Sequence, residues 1–180
     1  MLIYSCEEYE DSIMCSNFAE ETLKPAIKDE ASVFSDVPAN CPYVLVVDDD
    51  PGILSVVLLL LETEGYTAIG FSDSRKVQPF FEYLFTTGKE KGVRLPAVIL
   101  LDLMMPMISG YDIATWLSQQ NETATLPIVI MTADHRVSDI ENVPGATDLL
   151  SKPFQIMSLL AKLEKYLALP PVFVNTMSQQ

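Results

Sequence analysis

Four short runs in this sequence end an apolar stretch with a residue that can do chemistry. Asp48-Asp49-Asp50 follows Tyr43–Val47, and Asp102 follows the apolar run 97–101. Thr132 follows 126–131, and Lys152 comes just after Leu149 and Leu150. Carboxylates gathered in one place repel one another, so such a cluster calls for a compensating cation. A hard divalent ion with oxygen ligands fits, and Mg2+ suits one or two carboxylates with waters and a phosphate oxygen. A threonine hydroxyl and a lysine ammonium supply donors for a phosphoryl group. A carboxylate can itself accept a phosphoryl group covalently. Such a transfer depends mainly on positioning and charge neutralisation.

These residues converge only if the right elements carry them. The run Tyr43–Val47 is continuously apolar and rich in β-branched residues, the pattern of a strand buried on both faces. After Pro51 and Gly52, Ile53, Val56, Val57 and Leu60 recur at helical spacing up to Gly65, and these four are expected to face the sheet. A second strand is expected over 66–71, then a helix capped by Ser72 or Asp73 and running to about Thr86. A third strand follows over 97–101, a helix over 110–120, and a fourth strand over 126–131. A short helix is expected around 137–142 and a fifth strand around Leu149 and Leu150. The last helix spans 154–169 and stops at Pro170 and Pro171. Five β-α alternations build a doubly wound parallel sheet with helices on both faces. In the flavodoxin-like strand order 2-1-3-4-5, ligands sit beyond the carboxyl ends of strands one and three. Those strands are neighbours about 4.8 Å apart, which brings Asp48, Asp49 and Asp102 to one crevice. Strand five lies about 10 Å from strand three, a gap that the long side chain of Lys152 can close.

With the residues in this order, the sequence resembles the response-regulator receiver family, the CheY-like domains of two-component signalling. The resemblance rests on Val46-Val47-Asp48-Asp49, Leu101-Asp102 with Pro106 and Gly110, Met131-Thr132-Ala133, and Ser151-Lys152-Pro153-Phe154. It implies that Asp102 is the phosphoacceptor. Asp49 would bind Mg2+ directly together with Asp102, Asp48 would act through water, and the main-chain carbonyl of Met104 would complete the protein's share. Thr132 would hydrogen-bond the phosphoryl group and Lys152 would pair with it. The Lys152–Pro153 bond is expected to be cis. The resemblance further implies a sensor histidine kinase or histidine phosphotransfer protein as donor and a downstream protein as target. It makes the chain a signalling domain rather than an enzyme, read here as a stand-alone receiver.

Composition narrows the field. The formal net charge of −14 argues against a non-specific grip on nucleic acid or an anionic membrane. Residues 1–40 carry nine acids and two bases with no sustained period. Residues 1–42 therefore read as a disordered acidic extension, 43–169 as the folded domain, and 170–180 as a short tail. The three cysteines, Cys6, Cys15 and Cys41, have no metal-type spacing and fit a reduced, cytoplasmic setting. No apolar stretch approaches the ~20 residues of a membrane helix.

Three other readings meet specific obstacles. A phosphatase of the haloacid-dehalogenase type needs a second aspartate where Met104 stands. A flavin site needs hydroxyls and glycines where the acids 48–50 stand, and a pseudo-receiver has no reason to keep Asp49, Asp102, Thr132 and Lys152. Two features depart from the family's pattern. Leu149 stands where an aromatic switch residue is usual, which puts that relay in question, and the compact segment between Thr132 and Lys152, with Pro144 and Gly145, points to a short fourth helix and to signalling without the usual symmetric dimer. The helix after Pro51 is unusually apolar, and Leu58 and Leu59 on its outward side suggest a docking patch. Asp50 reads as a solvated loop start, and His135 as a surface loop residue.

Overall fold

A computed structural model describes residues 41–88, 90, 92–133 and 143–167. Five strands form one parallel sheet: β1 (Tyr43–Val47), β2 (Thr67–Phe71), β3 (Val98–Asp102), β4 (Ile128–Thr132) and β5 (Ala146–Ser151). Their order is β2-β1-β3-β4-β5, the flavodoxin-like order expected. The central strands β1, β3 and β4 are buried along their whole length, which is why they read as unbroken apolar runs.

Alternate side chains of the central strands go to opposite faces. Leu45, Val47, Ile99, Leu101 and Ile130 pack with α2 (Val77–Tyr83) and α3 (Gly110–Ser118). Val44, Val46, Val98, Leu100 and Val129 pack with α1 (Pro51–Thr63) and α4 (Ile156–Leu167). Right-handed crossovers explain the split. The chain winds outward from β1 to β2, then reverses to build β3, β4 and β5, and the reversal puts α1 on one face and α2 and α3 on the other.

The boundaries depart from the expected ones in instructive ways. The second helix begins as a tight turn over Ser74–Lys76 capped by Asp73, continues as α2, and ends in a wider turn over Leu84–Gly88. Pro79 falls in the first turn of α2, where a missing N–H is tolerated. β5 is longer than its two leucines suggest. It carries a bulge at Thr147, whose hydroxyl accepts from the Ile128 amide (2.9 Å) and donates to the Ile128 carbonyl (3.0 Å). A side chain there does the work of the ladder, so no apolar alternation marks the strand.

The face of α1 is a correction. The buried stripe is Leu54, Val57 and Leu61, whereas Val56 is 67% exposed and Leu59 49% exposed. Ile53, Leu58 and Leu60 lie partly buried beside the core. The Asp50 carboxylate caps the helix by accepting from the amides of Gly52 (2.8 Å) and Ile53 (3.1 Å), and Pro51 sits at the first helical position. That start fixes the helix phase and turns Val56 outward. Asp50 is thus a cap rather than only a loop residue. Cys41, expected as a free thiol, is disulfide-bonded. Among the described residues no helix is long and apolar enough to cross a membrane. The expected helix around 137–142, His135, most of the acidic extension and the tail lie outside the described residues.

Candidate phosphoryl site at the strand ends

The site sits at the carboxyl ends of the three buried strands and β5. Asp48 is the first residue beyond β1, and its amide still donates to the Phe71 carbonyl (3.1 Å), continuing the β1–β2 ladder. Asp102 is the last residue of β3, in register with Met131. Thr132 ends β4, in register with Ser151. The Lys152 amide donates to the Thr132 carbonyl (2.7 Å), so the β4–β5 ladder runs one step beyond the sheet and fixes the base of the lysine.

The side chains then converge. One carboxylate oxygen from each of Asp48, Asp49 and Asp102 lies within 4.8 Å of the other two. Asp48 is fully buried, Asp102 and Thr132 are nearly so, and Asp49 is half-buried. Lys152 Nζ reaches across the sheet to Asp48 Oδ2 (2.6 Å) and Asp102 Oδ2 (2.9 Å). The other oxygens are held by the backbone: the Asp50 amide donates to Asp48 Oδ1 (3.0 Å), and the Met104 amide donates to Asp102 Oδ1 (3.2 Å).

The electrostatics follow from this packing. Burial pushes the Asp48 carboxyl above the ordinary carboxylate range, and the Asp102 charge adds to the rise. The Lys152 ammonium and the Asp50 amide oppose it without cancelling it. For Lys152, burial alone would lower the pKa. Hydrogen bonds and charge from Asp48 and Asp102 outweigh burial and raise it. Among the described residues, three carboxylates against one ammonium leave a pocket with excess negative charge. A divalent cation with oxygen ligands fits that donor set.

The loop after Asp102 is built for close approach. The Gly110 amide donates to the Leu103 carbonyl (3.0 Å), pressing the start of α3 onto the end of β3. A Cβ at Gly110 would lie 2.1 Å from the Asp102 carbonyl oxygen and 2.7 Å from Leu103 Cα, so only glycine fits. Ser109 and Asp112 then cap α3 reciprocally. The Lys152–Pro153 bond is cis, as expected. Leu149 is partly buried against the same core cluster as α3.

The side chains of Asp48, Asp49, Asp102 and Lys152 come together at the strand ends, and Thr132 ends the neighbouring strand β4, buried and bonded through its carbonyl to the Lys152 amide. Met104 joins them through its amide while its side chain is 62% exposed. Two features were not foreseen. One is the direct Lys152–Asp48 pair, because spacing alone shows only that the lysine can reach the crevice. The other is Ser74, whose buried hydroxyl contacts the loop after β3, 32 residues away in sequence. No local sequence signal announces that contact.

Comparison with known proteins adds independent findings. A family model described as the response regulator receiver domain matches residues 44–164. The chain is 33% identical over 129 residues to the DNA-binding dual master transcriptional regulator RpaA of Synechocystis, covering 70% of this chain and 49% of that protein. It is 30% identical to the phosphate regulon transcriptional regulatory protein PhoB of Pseudomonas aeruginosa, covering 69% and 51%. The chain spans about half the length of these curated relatives. Among solved structures, the chemotaxis protein CheY4 of Vibrio cholerae is similar, with a TM-score of 0.56, 26% identity, and coverage of 70% and 98%. So is the response regulator TrrA of Thermotoga maritima in complex with Mg2+–BeF, with a TM-score of 0.57, 25% identity, and coverage of 69% and 98%.

Proposed function

We propose that this chain, which belongs to the response regulator receiver domain family, is a phosphorylation switch that accepts a phosphoryl group on Asp102. Receiver domains are signalling domains that work with histidine kinases and downstream targets, and they bind Mg2+ at an acidic pocket. The observation that carries the finer reading is Lys152 bridging Asp48 and Asp102 with the Asp49 carboxylate beside them. A lysine that only stabilised the sheet would not need two acids at its tip and a third beside them.

In this reading a carboxylate oxygen of Asp102 attacks phosphorus in a phosphohistidine of a histidine kinase or phosphotransfer protein. The P–N bond breaks, and the imidazole leaves with its electron pair. Asp49, Asp102 and the main-chain carbonyl of Met104 would hold Mg2+, with Asp48 acting through water. The ion supplies charge neutralisation for the phosphoryl oxygens. Lys152, already within 2.9 Å of Asp102, pairs with the incoming group, and the Thr132 hydroxyl donates to it. The relative TrrA, solved in complex with Mg2+–BeF, supports the choice of ion.

Phosphorylation replaces about one negative charge by roughly two and adds strong acceptors. Shifting a two-state domain from 1:99 to 99:1 needs about 5.5 kcal/mol of differential interaction, a sum that a metal-bridged phosphate with a lysine pair approaches. The domain's own chemistry is limited to its phosphorylation and dephosphorylation. Its partners are proteins, and the net charge of −14 speaks against a direct hold on nucleic acid by this chain. Residues 43–169 form the receiver, 1–42 an acidic extension and 170–180 a short tail.

The test is intact mass after incubation with acetyl phosphate, for wild type and Asp102→Asn, with and without Mg2+. A Mg2+-dependent gain of about 80 Da in wild type alone is expected. A gain that survives Asp102→Asn would move the acceptor elsewhere.

A further inference from the structure

The loop between β3 and α3 is tied at both ends. Its start is held to the site by the Met104 amide on Asp102 Oδ1 (3.2 Å), and its end by the Gly110 amide on the Leu103 carbonyl (3.0 Å). The tip is held in an unusual way. Met107 has φ +69°, the left-handed region that a bulky side chain seldom adopts. The Ile108 amide folds back onto the Pro106 carbonyl (2.9 Å), so Met107 is the central residue of a γ-turn with positive φ, a rare and strained form. Such strain persists only where the surroundings hold it.

What holds it comes from another element. Ser74, at the start of the turn that leads into α2, is 4% exposed. Its hydroxyl donates to the Pro106 carbonyl (3.0 Å) and accepts from the Ile108 amide (3.3 Å). One hydroxyl therefore engages both polar groups of the γ-turn. Met107 itself is 77% exposed and its side chain cannot serve as the anchor.

We propose that Ser74 is a positioning residue: it clamps the Pro106–Ile108 turn and so holds Met104 against Asp102. This rests on the functional reading above, in which Met104 contributes to the Mg2+ site. Removing the hydroxyl leaves the Ile108 amide and Pro106 carbonyl bonded only to each other and frees the tip of the loop from the start of α2. The Met104 end of the loop then keeps its own amide bond, the Gly110–Leu103 tie and the buried Met105, but loses the clamp at the tip. The expected consequence is weaker Mg2+ binding of about fivefold, equivalent to about 1 kcal/mol, the net worth of one hydrogen bond. The rate at saturating Mg2+ is retained, because Asp102, Thr132 and Lys152 are untouched.

The experiment compares wild type, Ser74→Ala and Ser74→Thr by calorimetric titration with Mg2+ and by acetyl phosphate labelling at graded Mg2+. The proposal expects Ser74→Ala to raise both the Mg2+ dissociation constant and the half-saturating Mg2+ about fivefold, and Ser74→Thr to restore most of the loss. A Ser74→Ala protein that melts earlier but binds Mg2+ as wild type does would reduce Ser74 to a structural role and overturn it. Amide exchange on the wild type needs no variant. The Ile108 amide should exchange as slowly as the ladder amides of β3, and free exchange there would also overturn the clamp. If wild type binds Mg2+ but is never labelled, the phosphoacceptor reading fails, while the Mg2+ titrations still decide the role of Ser74.

Discussion

Lys152→Met is the sharpest probe of the pocket, because it removes the ammonium that bridges Asp48 and Asp102 and keeps most of the side chain's bulk. In the wild type the lysine holds Asp48 and Asp102 at 2.6 and 2.9 Å. Its side chain is 12% exposed, and those of its two partners are 0% and 10% exposed. Solvent therefore screens little of the interaction. Breaking a buried pair by removing one partner costs about 3–5 kcal/mol, because a charge is left uncompensated. The low end applies here, since Asp48 can escape by protonating. Its carboxyl is already raised by burial against the pull of Lys152, and without the lysine it rises further.

The sign of the pH dependence follows. A group with a raised folded pKa contributes stability that is complete below its unfolded value and is lost as pH rises through the folded value. The variant's deficit should be small below the ordinary aspartate value of about 4 and should open as pH climbs through Asp48's elevated one. Urea unfolding in EDTA at pH 7.5 is expected to show a loss of about 3 kcal/mol, narrowing toward pH 4 and narrowing again when Mg2+ replaces the lost charge. A deficit below about 1 kcal/mol that does not change with pH would refute the reasoning, since it would mean that the acids are solvated well enough without the lysine.

Further outcomes are expected. Gly110→Ala forces a Cβ to within 2.1 Å of the Asp102 carbonyl oxygen, so α3 must back away from the site. A loss of about 1–3 kcal/mol is expected in urea unfolding, together with slower acetyl phosphate labelling, and unchanged values of both would show that the close approach is not needed. On α1, Leu54→Ala should cost about 2–5 kcal/mol because Leu54 is core. Val56→Ser and Leu59→Ser should stay within about 0.5 kcal/mol. If α1 is the docking face, the paired serine variant should slow phosphotransfer from a histidine kinase while acetyl phosphate labelling is unchanged.

The sheet and the site's side chains were legible because they depend on strands whose burial leaves an unmistakable run of apolar residues. Where such a run ends in an acid, a threonine or a lysine, the strand order alone fixes which side chains meet. The phase of α1 was not legible, and the reason is physical. Residues 53–61 are apolar except for Ser55, so no polar face marks the outside. The Asp50 cap decides the phase instead, by setting where the first turn starts. β5 was legible only at Leu149 and Leu150, because its first half is an edge in which Thr147 replaces a ladder contact. Ser74 was invisible for another reason: between Asp73 and Arg75 it reads as a turn residue, and its partners lie 32 and 34 residues away.

The same geometry explains why the pocket can respond as a unit. Lys152 is bound twice, at its tip by Asp48 and Asp102 and at its amide by the Thr132 carbonyl. Moving Thr132 therefore disturbs the base of the lysine, and pulling the ammonium toward a new anion loads the end of β4. Asp48 gives the lysine a second anchor, on the strand beside Asp102. When negative charge grows at Asp102, the ammonium can shift its balance between two carboxylates already within 2.9 Å, without crossing a desolvated gap. A lysine paired with Asp102 alone would have only a made or a broken pair to choose between. In the proposed phosphorylation switch, sharing the ammonium would keep the buried charge compensated as it moves, which lowers the desolvation cost.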